Sequence, residues 1–240
     1  MEPKKKRIPM IVLHNLRKEY RTEDECIVAL DTINLTLYKG ELCCIFGTSG
    51  SGKSTLLNQL AGMEKPTSGS VWIDRKCVSS MDEEALASFR QHNTGFIFQS
   101  YNLLPALTAV ENVALPLMFR GISKEIREQQ AAKLLKKVGL GHRLTHFPTQ
   151  MSGGQQQRVG IARAFVTRPK VIFADEPTGN LDTRTTRDIM HMITDFSVKY
   201  AQTIVLVTHD KSMADYADRI ITLCDGHIIS DERKTNHNEA

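Results

Sequence analysis

No apolar run in this chain approaches the roughly 20 residues that a membrane-spanning helix requires, so the sequence is not expected to cross a bilayer by itself. Nor is a secretory leader expected from these residues. Lys4-Lys5-Lys6-Arg7 could open one, but Ile8 to Leu13 is short, contains Pro9 and runs into charged sequence. Cysteine is sparse, odd in number and scattered over Cys26, Cys43, Cys44, Cys77 and Cys224, none at metal-ligand spacing. Cys43 and Cys44 fall inside an apolar strand pattern, where the residue behaves as a small hydrophobe. Free thiols in a reducing cytoplasm are the expectation. A strong excess of one charge is also absent: 31 basic against 27 acidic residues give a formal +4 and a pI of about 8.8. That balance makes no case for nucleic acid. The one dense basic run is at the start, read as a solvated tail over 1–9 rather than an anionic-lipid or nucleic-acid contact.

The 240 residues are 41% hydrophobic and 24% charged, an ordinary globular composition with enough chain for a sizeable core. One domain is expected over 10–230, followed by a polar, disordered tail. The stretch that organises the chain is Gly47-Thr48-Ser49-Gly50-Ser51-Gly52-Lys53-Ser54-Thr55. It fits the phosphate-binding pattern G-x-x-x-x-G-K-[ST], after an apolar run, Leu42 to Phe46, and before a helix-like run, Leu56 to Ala61. Glycines let successive N–H groups curl inward toward phosphate oxygens. The helix start adds unpaired N–H groups and a positive dipole end. Lys53 has the reach for β- and γ-phosphates and the Ser54 hydroxyl suits Mg²⁺. The bland alternative is a glycine–serine turn with a chance lysine, which the flanking strand and helix disfavour.

Around that loop, Ile11–Leu16 and Ala29–Leu37 read as strands, with a polar stretch from Arg17 to Glu25 between them that holds Tyr20. Tyr20 is either a base-stacking aromatic or an ordinary half-buried tyrosine. Ser70–Ile73 reads as another strand. Ser80 and Glu83 have capping-box spacing, with Ser80 at the cap, as do Thr108 and Glu111. Thr94–Phe98 is strand-like and ends at Gln99, either a polar terminus or a sensor side chain. Tyr101–Thr149 has a helical pattern, so a helical subdomain is expected over about 80–165. Ser152 and Gln155 repeat the capping-box spacing, and Gly153 and Gly154 leave the N–H groups of that helix open. This is either a second anion seat or a capped glycine turn. Lys170 to Pro177 is a buried strand that delivers Asp175 and Glu176 at its carboxyl end, where ligands bind in open α/β sheets. Asp175 suits Mg²⁺ coordination and Glu176 the attacking water; a mere helix cap is the alternative, weakened by Pro177. Asp182 is placed to cap Thr183–Tyr200. Thr203–Thr208 is a further strand and ends at His209, where a γ-phosphate contact competes with a structural histidine. Asp225-Gly226 signals a type I′ hairpin.

As an ordered set these residues resemble the nucleotide-binding subunit of an ATP-binding-cassette (ABC) transporter, over about Ile11 to Ser230. The resemblance implies an α/β fold: a P-loop NTPase core with an antiparallel β subdomain and an α-helical insertion subdomain. It implies ATP and Mg²⁺ as ligands, Tyr20 stacked on adenine, and Gly47, Ser49, Gly50, Ser51, Gly52, Lys53, Ser54 and Thr55 around the phosphates. Ser54, Gln99 and Asp175 would serve the metal. Glu176, His209 and Gln99 would act in catalysis, with Gln99 also linking to the membrane partner, and Asp182 would lie in the loop that crosses between subunits. Met151 to Gln156 resembles the family signature. It implies that Ser152, Gly153, Gly154 and Gln155 face the nucleotide of a second copy of the chain.

The runs Phe98–Pro105, Thr108–Pro116 and Ala174–Asp182 are most similar to the bacterial lipoprotein-release, macrolide-export, bacitracin-resistance and FtsE-like cell-division group. Its partner is an integral membrane permease of the FtsX-like type, which implies a peripheral place on the cytoplasmic face and no nucleic acid. Thr48 stands where many members have proline and Met151 where most have leucine; neither departure removes a ligand. Competing readings are a soluble ABC ATPase acting on nucleic acid or the ribosome, an ATP-holding division-type scaffold, and a small-molecule kinase.

Overall fold

The computed structural model describes residues 7–21 and 25–234 of the chain. In chain order the strands and helices are β1 (Pro9–Arg21), β2 (Cys26–Tyr38), β3 (Leu42–Phe46), α1 (Lys53–Leu60), β4 (Ser68–Ile73), β5 (Lys76–Cys77), α2 (Glu83–Asn93), β6 (Thr94–Phe98), α3 (Ala109–Phe119), α4 (Lys124–Lys137), α5 (Gly153–Phe165), β7 (Val171–Asp175), α6 (Thr183–Tyr200), β8 (Thr203–Thr208), α7 (Lys211–Ala214), β9 (Arg219–Cys224) and β10 (His227–Arg233). They form two compact units. The first holds the chain up to Leu86 and from Thr203 onward; the second holds Ala87–Gln202.

The first unit contains an antiparallel sheet in the order β2-β1-β4-β5. Strands β1 and β2 are much longer than their apolar cores suggest. Arg17–Glu25 was expected as a connecting stretch, yet β1 continues to Arg21 and pairs Tyr20 with Ile27. Polar partners carry this extension: Arg17 bonds Glu19 at 2.8 Å and also pairs with Asp31. A β-bulge lies where Leu16 faces Ile33 but Lys18 faces Leu30, with Thr32 left-handed at φ +51°. The extra residue lets Leu30 and Ile33, three apart, both point into the core, where a regular strand would alternate them outward.

Strands β10, β9, β3 and β8 also lie side by side in this unit, with β3 parallel to both β9 and β8. Leu42, Cys43, Cys44 and Ile45 of β3 are buried, as a parallel strand covered on both faces requires. Burial pushes the Cys44 thiol up to about 12 and raises the Cys43 thiol well above its ordinary value, which leaves both as inert packing groups. The β9–β10 turn has Asp225 at φ +44° and Gly226 at φ +77°, the two positive angles of a type I′ hairpin. β10 runs to Arg233, so the expected polar tail from Ser230 is partly strand. Arg219 holds it there, gripping Asp231 through two 2.6 Å bonds. Residues 235–240 and the basic run up to Lys6 lie outside the described residues.

In the second unit β6 and β7 pair in parallel, and α5 packs against β6, α3, α4 and α6. The helical pattern expected from Tyr101 to Thr149 is confined to α3 and α4, because 101–108 is irregular and the chain after Gly139 is mostly turns. Gly139, at φ +80°, ends α4. On α6, Ile189, Met190, Ile193 and Phe196 form the buried stripe, and Phe196 meets Phe165 edge-on at 5.2 Å.

The caps decide where the helices begin. Thr108, Ser152 and Asp182 cap α3, α5 and α6. Ser80 does not cap α2. It sits in a 3-10 turn with its hydroxyl bonded to the Cys77 carbonyl, and Asp82 accepts from Ala85 N instead, at 2.8 Å. A carboxylate one residue before the helix outcompetes a hydroxyl that is already engaged.

Candidate functional site

In the first unit β3 and β8 end in register, Phe46 beside Thr208, so the loop that begins at Gly47 and the segment that begins at His209 leave the same end of adjacent parallel strands. The loop is built to stay open. Gly50 and Gly52 are left-handed at φ +81° and +97°, and Gly52 caps α1 with no side chain, leaving the first N–H groups of the helix unblocked. A Cβ on Gly52 would meet the Ala29 carbonyl at 2.6 Å, and one on Gly47 would run into the Leu223 carbonyl. The hairpin turn braces the loop, since Gly226 N donates to Ser51 O at 3.1 Å. Lys53 is buried, and its ammonium donates to the Thr48 carbonyl at 2.6 Å, which holds a positive charge inside the loop. The Ser51 hydroxyl is buried without a hydrogen-bond partner among the described residues, whereas Ser54 is exposed. Backbone donors, a fixed cation and a spare hydroxyl make a phosphate cradle.

Tyr20 is 39% exposed. Its hydroxyl donates to Glu64 at 2.8 Å, Asn58 of α1 donates to the same carboxylate, and the Lys18 ammonium stands 5.1 Å from the ring centroid. Burial and then Glu64 push the Tyr20 phenol up. The ring is thus fixed against the region of the phosphate-loop helix. His209 is exposed beyond β8, and Asp210 caps α7 by accepting from Ser212 N at 2.8 Å.

The second unit repeats the strand-end device. Phe98 and Asp175 are in register, so Gln99 and Glu176 leave the carboxyl ends of adjacent strands. Glu176 is left-handed at φ +41°, a sparsely populated conformation for a residue with a side chain. A Cβ on Gly179 would lie 2.8 Å from Gln99 Nε2, and the Asn180 amide donates to the Gln99 carbonyl at 3.3 Å. The side chain of Gln99 therefore lies over the loop that follows Glu176. At α5, Ser152 Oγ accepts from Gln155 N at 3.4 Å, and Gln155 Oε1 accepts from Ser152 N at 3.1 Å. Gly153 and Gly154 follow the cap, and no acid lies in the first turn. Tyr101 and Thr185 stand so close to these glycines that a Cβ would come within 2.7 and 2.8 Å of them. Asp182 accepts from the Thr185 hydroxyl at 2.6 Å and from the amides of Thr185 and Arg184 at 3.0 Å, and these bonds, the hydroxyl's first, hold its carboxyl below the usual carboxylate range.

Phosphate-loop residues, Tyr20 and His209 thus belong to the first unit, and Gln99, Ser152–Gln155, Asp175, Glu176 and Asp182 to the second. Among the described residues no three His, Cys, Asp or Glu form a metal cluster. The Ser54 hydroxyl, Asp175 carboxylate and Gln99 amide oxygen are hard donors. Each is of the chemical kind that Mg²⁺ takes alongside water and phosphate ligands.

Sequence reasoning missed three contributors. Glu64 orients Tyr20. Arg163 donates to the Tyr101 carbonyl at 2.8 Å and to that of Asn102. Gln157, fully buried, donates to the carbonyls of Phe98 and Pro177. A signal for the last existed: 157, 161 and 164 lie on the apolar stripe of α5, and a polar side chain on such a stripe must find partners.

A family model described as ABC transporter matches residues 30–179. The chain is 46% identical over 220 residues to YknY of Bacillus subtilis, an uncharacterized ABC transporter ATP-binding protein, covering 92% of this chain and 95% of that protein. It is 45% identical over 230 residues to the macrolide export ATP-binding/permease protein MacB 2 of Yersinia pestis, covering 96% of this chain but 34% of that one. The chain thus spans about a third of the length of its MacB relatives. Among solved structures it resembles the dimeric ABC transporter cassette MJ0796 at 44% identity, with a TM-score of 0.87 over 93% of this chain and 98% of that one. A second MJ0796 structure, a dimeric post-hydrolysis state bound to ADP and Pi, matches at 43% identity with the same TM-score and the same coverage of both chains.

Proposed function

This chain belongs to the ABC transporter family as an ATP-binding, ATP-hydrolysing cassette, and from that premise we propose that two copies close head to tail on ATP and drive an integral membrane permease of the FtsX-like type. One observation supports the pairing: a single chain has two glycine-opened helix starts, the loop at 47–55 before α1 and the capped start of α5, and we read both as phosphate seats. One nucleotide needs only one loop, so the α5 seat serves the nucleotide held by the other copy. The dimeric MJ0796 cassette supports this reading. The ATP-binding/permease name of the MacB relatives, matched over only a third of their length, supports the permease. Binding through that permease would put the chain on the cytoplasmic face of the membrane; no helix among the described residues is long and apolar enough to cross it.

In this mechanism Tyr20 stacks on the base. The N–H groups of the loop, Lys53 and Ser54 hold the phosphates, and Mg²⁺ among Ser54, Asp175 and Gln99 would offset their charge. Glu176 accepts the proton of the attacking water, and His209 contacts the γ-phosphate. Ser152, Gly153, Gly154 and Gln155 of the other copy close over that phosphate, and Asp182 lies in the segment that crosses to it. ATP joins the copies, and loss of the γ-phosphate contacts releases them, a switch driven by differential contacts in two states. Gln99 passes the change to the permease.

The test is Glu176→Gln. Turnover should fall about 10²–10⁴-fold, while ATP shifts the chain to a stable dimer on size exclusion. Near-normal hydrolysis by that variant would refute the role of Glu176, and a monomer at saturating ATP would refute the pairing.

A further inference from the structure

One side chain touches the bases of both loops that carry Gln99 and Glu176. Gln157 lies on α5, two residues beyond Gln155, and is fully buried. Its amide nitrogen donates to the Phe98 carbonyl at 3.3 Å and to the Pro177 carbonyl. Phe98 directly precedes Gln99, and Pro177 directly follows Glu176. Two carbonyls facing one terminal amide fix its orientation, because only the nitrogen can donate. The oxygen Oε1 is left buried with no partner among the described residues. A leucine of similar size would spare this orphaned acceptor but leave the Phe98 and Pro177 carbonyls without this donor, so the amide is set here by the two loop bases that it bonds.

The loop it grips is under strain. Glu176 keeps a left-handed backbone, which a non-glycine residue holds only where its surroundings over-determine it. Pro177 has no N–H to offer, so its carbonyl is the handle available for the grip. Gly179 N closes the turn onto the Glu176 carbonyl at 3.1 Å.

We propose that Gln157 is a positioning residue for ATP hydrolysis. It locks the strand ends that present Gln99 and Glu176 into one frame, and it ties that frame to α5, whose first turn is the seat for the other copy's nucleotide. Closure of the second copy on α5 therefore acts on the geometry of Glu176 through a single amide. This rests on the roles proposed above for Glu176 and Gln99.

The experiment is steady-state ATP hydrolysis by the full chain carrying Gln157→Leu or Gln157→Glu, with melting temperatures alongside. The kcat of Gln157→Leu should fall roughly tenfold or more with KM for ATP held within about twofold, the mark of an interaction that acts on the transition state. Its melting temperature should fall by no more than a few degrees, because two carbonyls lose a donor while the orphaned oxygen is removed with it. Gln157→Glu, which keeps the shape but turns the donor into an acceptor, should be impaired at least as much. In a Gln99→Ala background the Leu substitution should cost less than it does in the wild-type chain, because the share that runs through Gln99 is already lost while the share that runs through Glu176 remains. Wild-type kcat in Gln157→Leu, full additivity with Gln99→Ala, or a parallel loss of kcat, ATP affinity and melting temperature would each overturn the inference. Glu176→Gln separates the two levels. If it is inactive while Gln157→Leu is normal, only the positioning role fails; if it is active, the role of Glu176 itself has failed.

Discussion

The two units carry the same device in different states of completion. Each ends a pair of parallel strands in register, β3 with β8 and β6 with β7, and releases site residues from the shared end. Each also opens a helix toward an anion. The loop before α1 is self-sufficient: left-handed glycines, a cap with no side chain, and a lysine already inside. The start of α5 is not. Ser152 and Gln155 have satisfied each other, the glycines expose only what remains, and the first turn carries no charge of either sign. The first seat can capture a phosphate alone. The second is suited to one that another molecule presents, and the proposed sharing of a site between copies rests on this difference.

The largest effect should come from spoiling the second seat. Gly154→Asp sets a carboxylate in it, and like-charge contact costs several kcal/mol, so turnover should drop more than about 100-fold while ATP affinity measured by fluorescence titration on the monomer stays near wild type. Equal loss of both quantities would erase the distinction between the seats. Lys53→Ala should do the reverse and weaken ATP binding itself, by roughly ten- to a hundred-fold from one charged hydrogen-bond partner, as calorimetry would show. Ser152→Ala removes the cap but leaves the glycines. It should cost about 1 kcal/mol of stability, a drop of about 2–4 °C in melting temperature, and an unchanged melt would mean that Gln155 alone holds the helix start.

The smallest effect concerns the first unit only. The Arg219 guanidinium holds the Asp231 carboxyl below the usual carboxylate range, chiefly through its hydrogen bonds. That stability is present above the ordinary carboxylate pKa and is lost as the pH falls through the depressed value of the folded state. Asp231→Asn should therefore make melting temperature less steep on the acid side. Burial acts oppositely on Glu41 and raises its pKa, which limits the size of the effect.

Local chemistry was legible in the sequence wherever it was self-contained. The caps at Thr108, Ser152 and Asp182 and the Asp225-Gly226 turn rest on interactions within a few residues, and all four appear as expected. Features that depend on distant partners were not legible. Polar Arg17–Arg21 becomes strand only because β2 pairs with it, Ser230–Arg233 only because β9 and Arg219 hold it, and Ser80 loses its cap because Cys77 claims its hydroxyl. For the site, motif spacing marked the loop, the acidic strand end and the capped glycines. The amide of Gln157 was not legible because the two carbonyls that it bonds lie 59 and 20 residues away.

Mixing two crippled chains tests the shared site most directly. Lys53→Ala spoils the loop and keeps the α5 seat; Gly154→Asp keeps the loop and spoils the seat. Neither should hydrolyse ATP appreciably alone. Mixed in equal amounts, they should regain turnover, because a heterodimer rebuilds one intact site from the good half of each. A mixture no more active than the sum of its parts would show that loop and seat do not meet across two copies, and the account would fall.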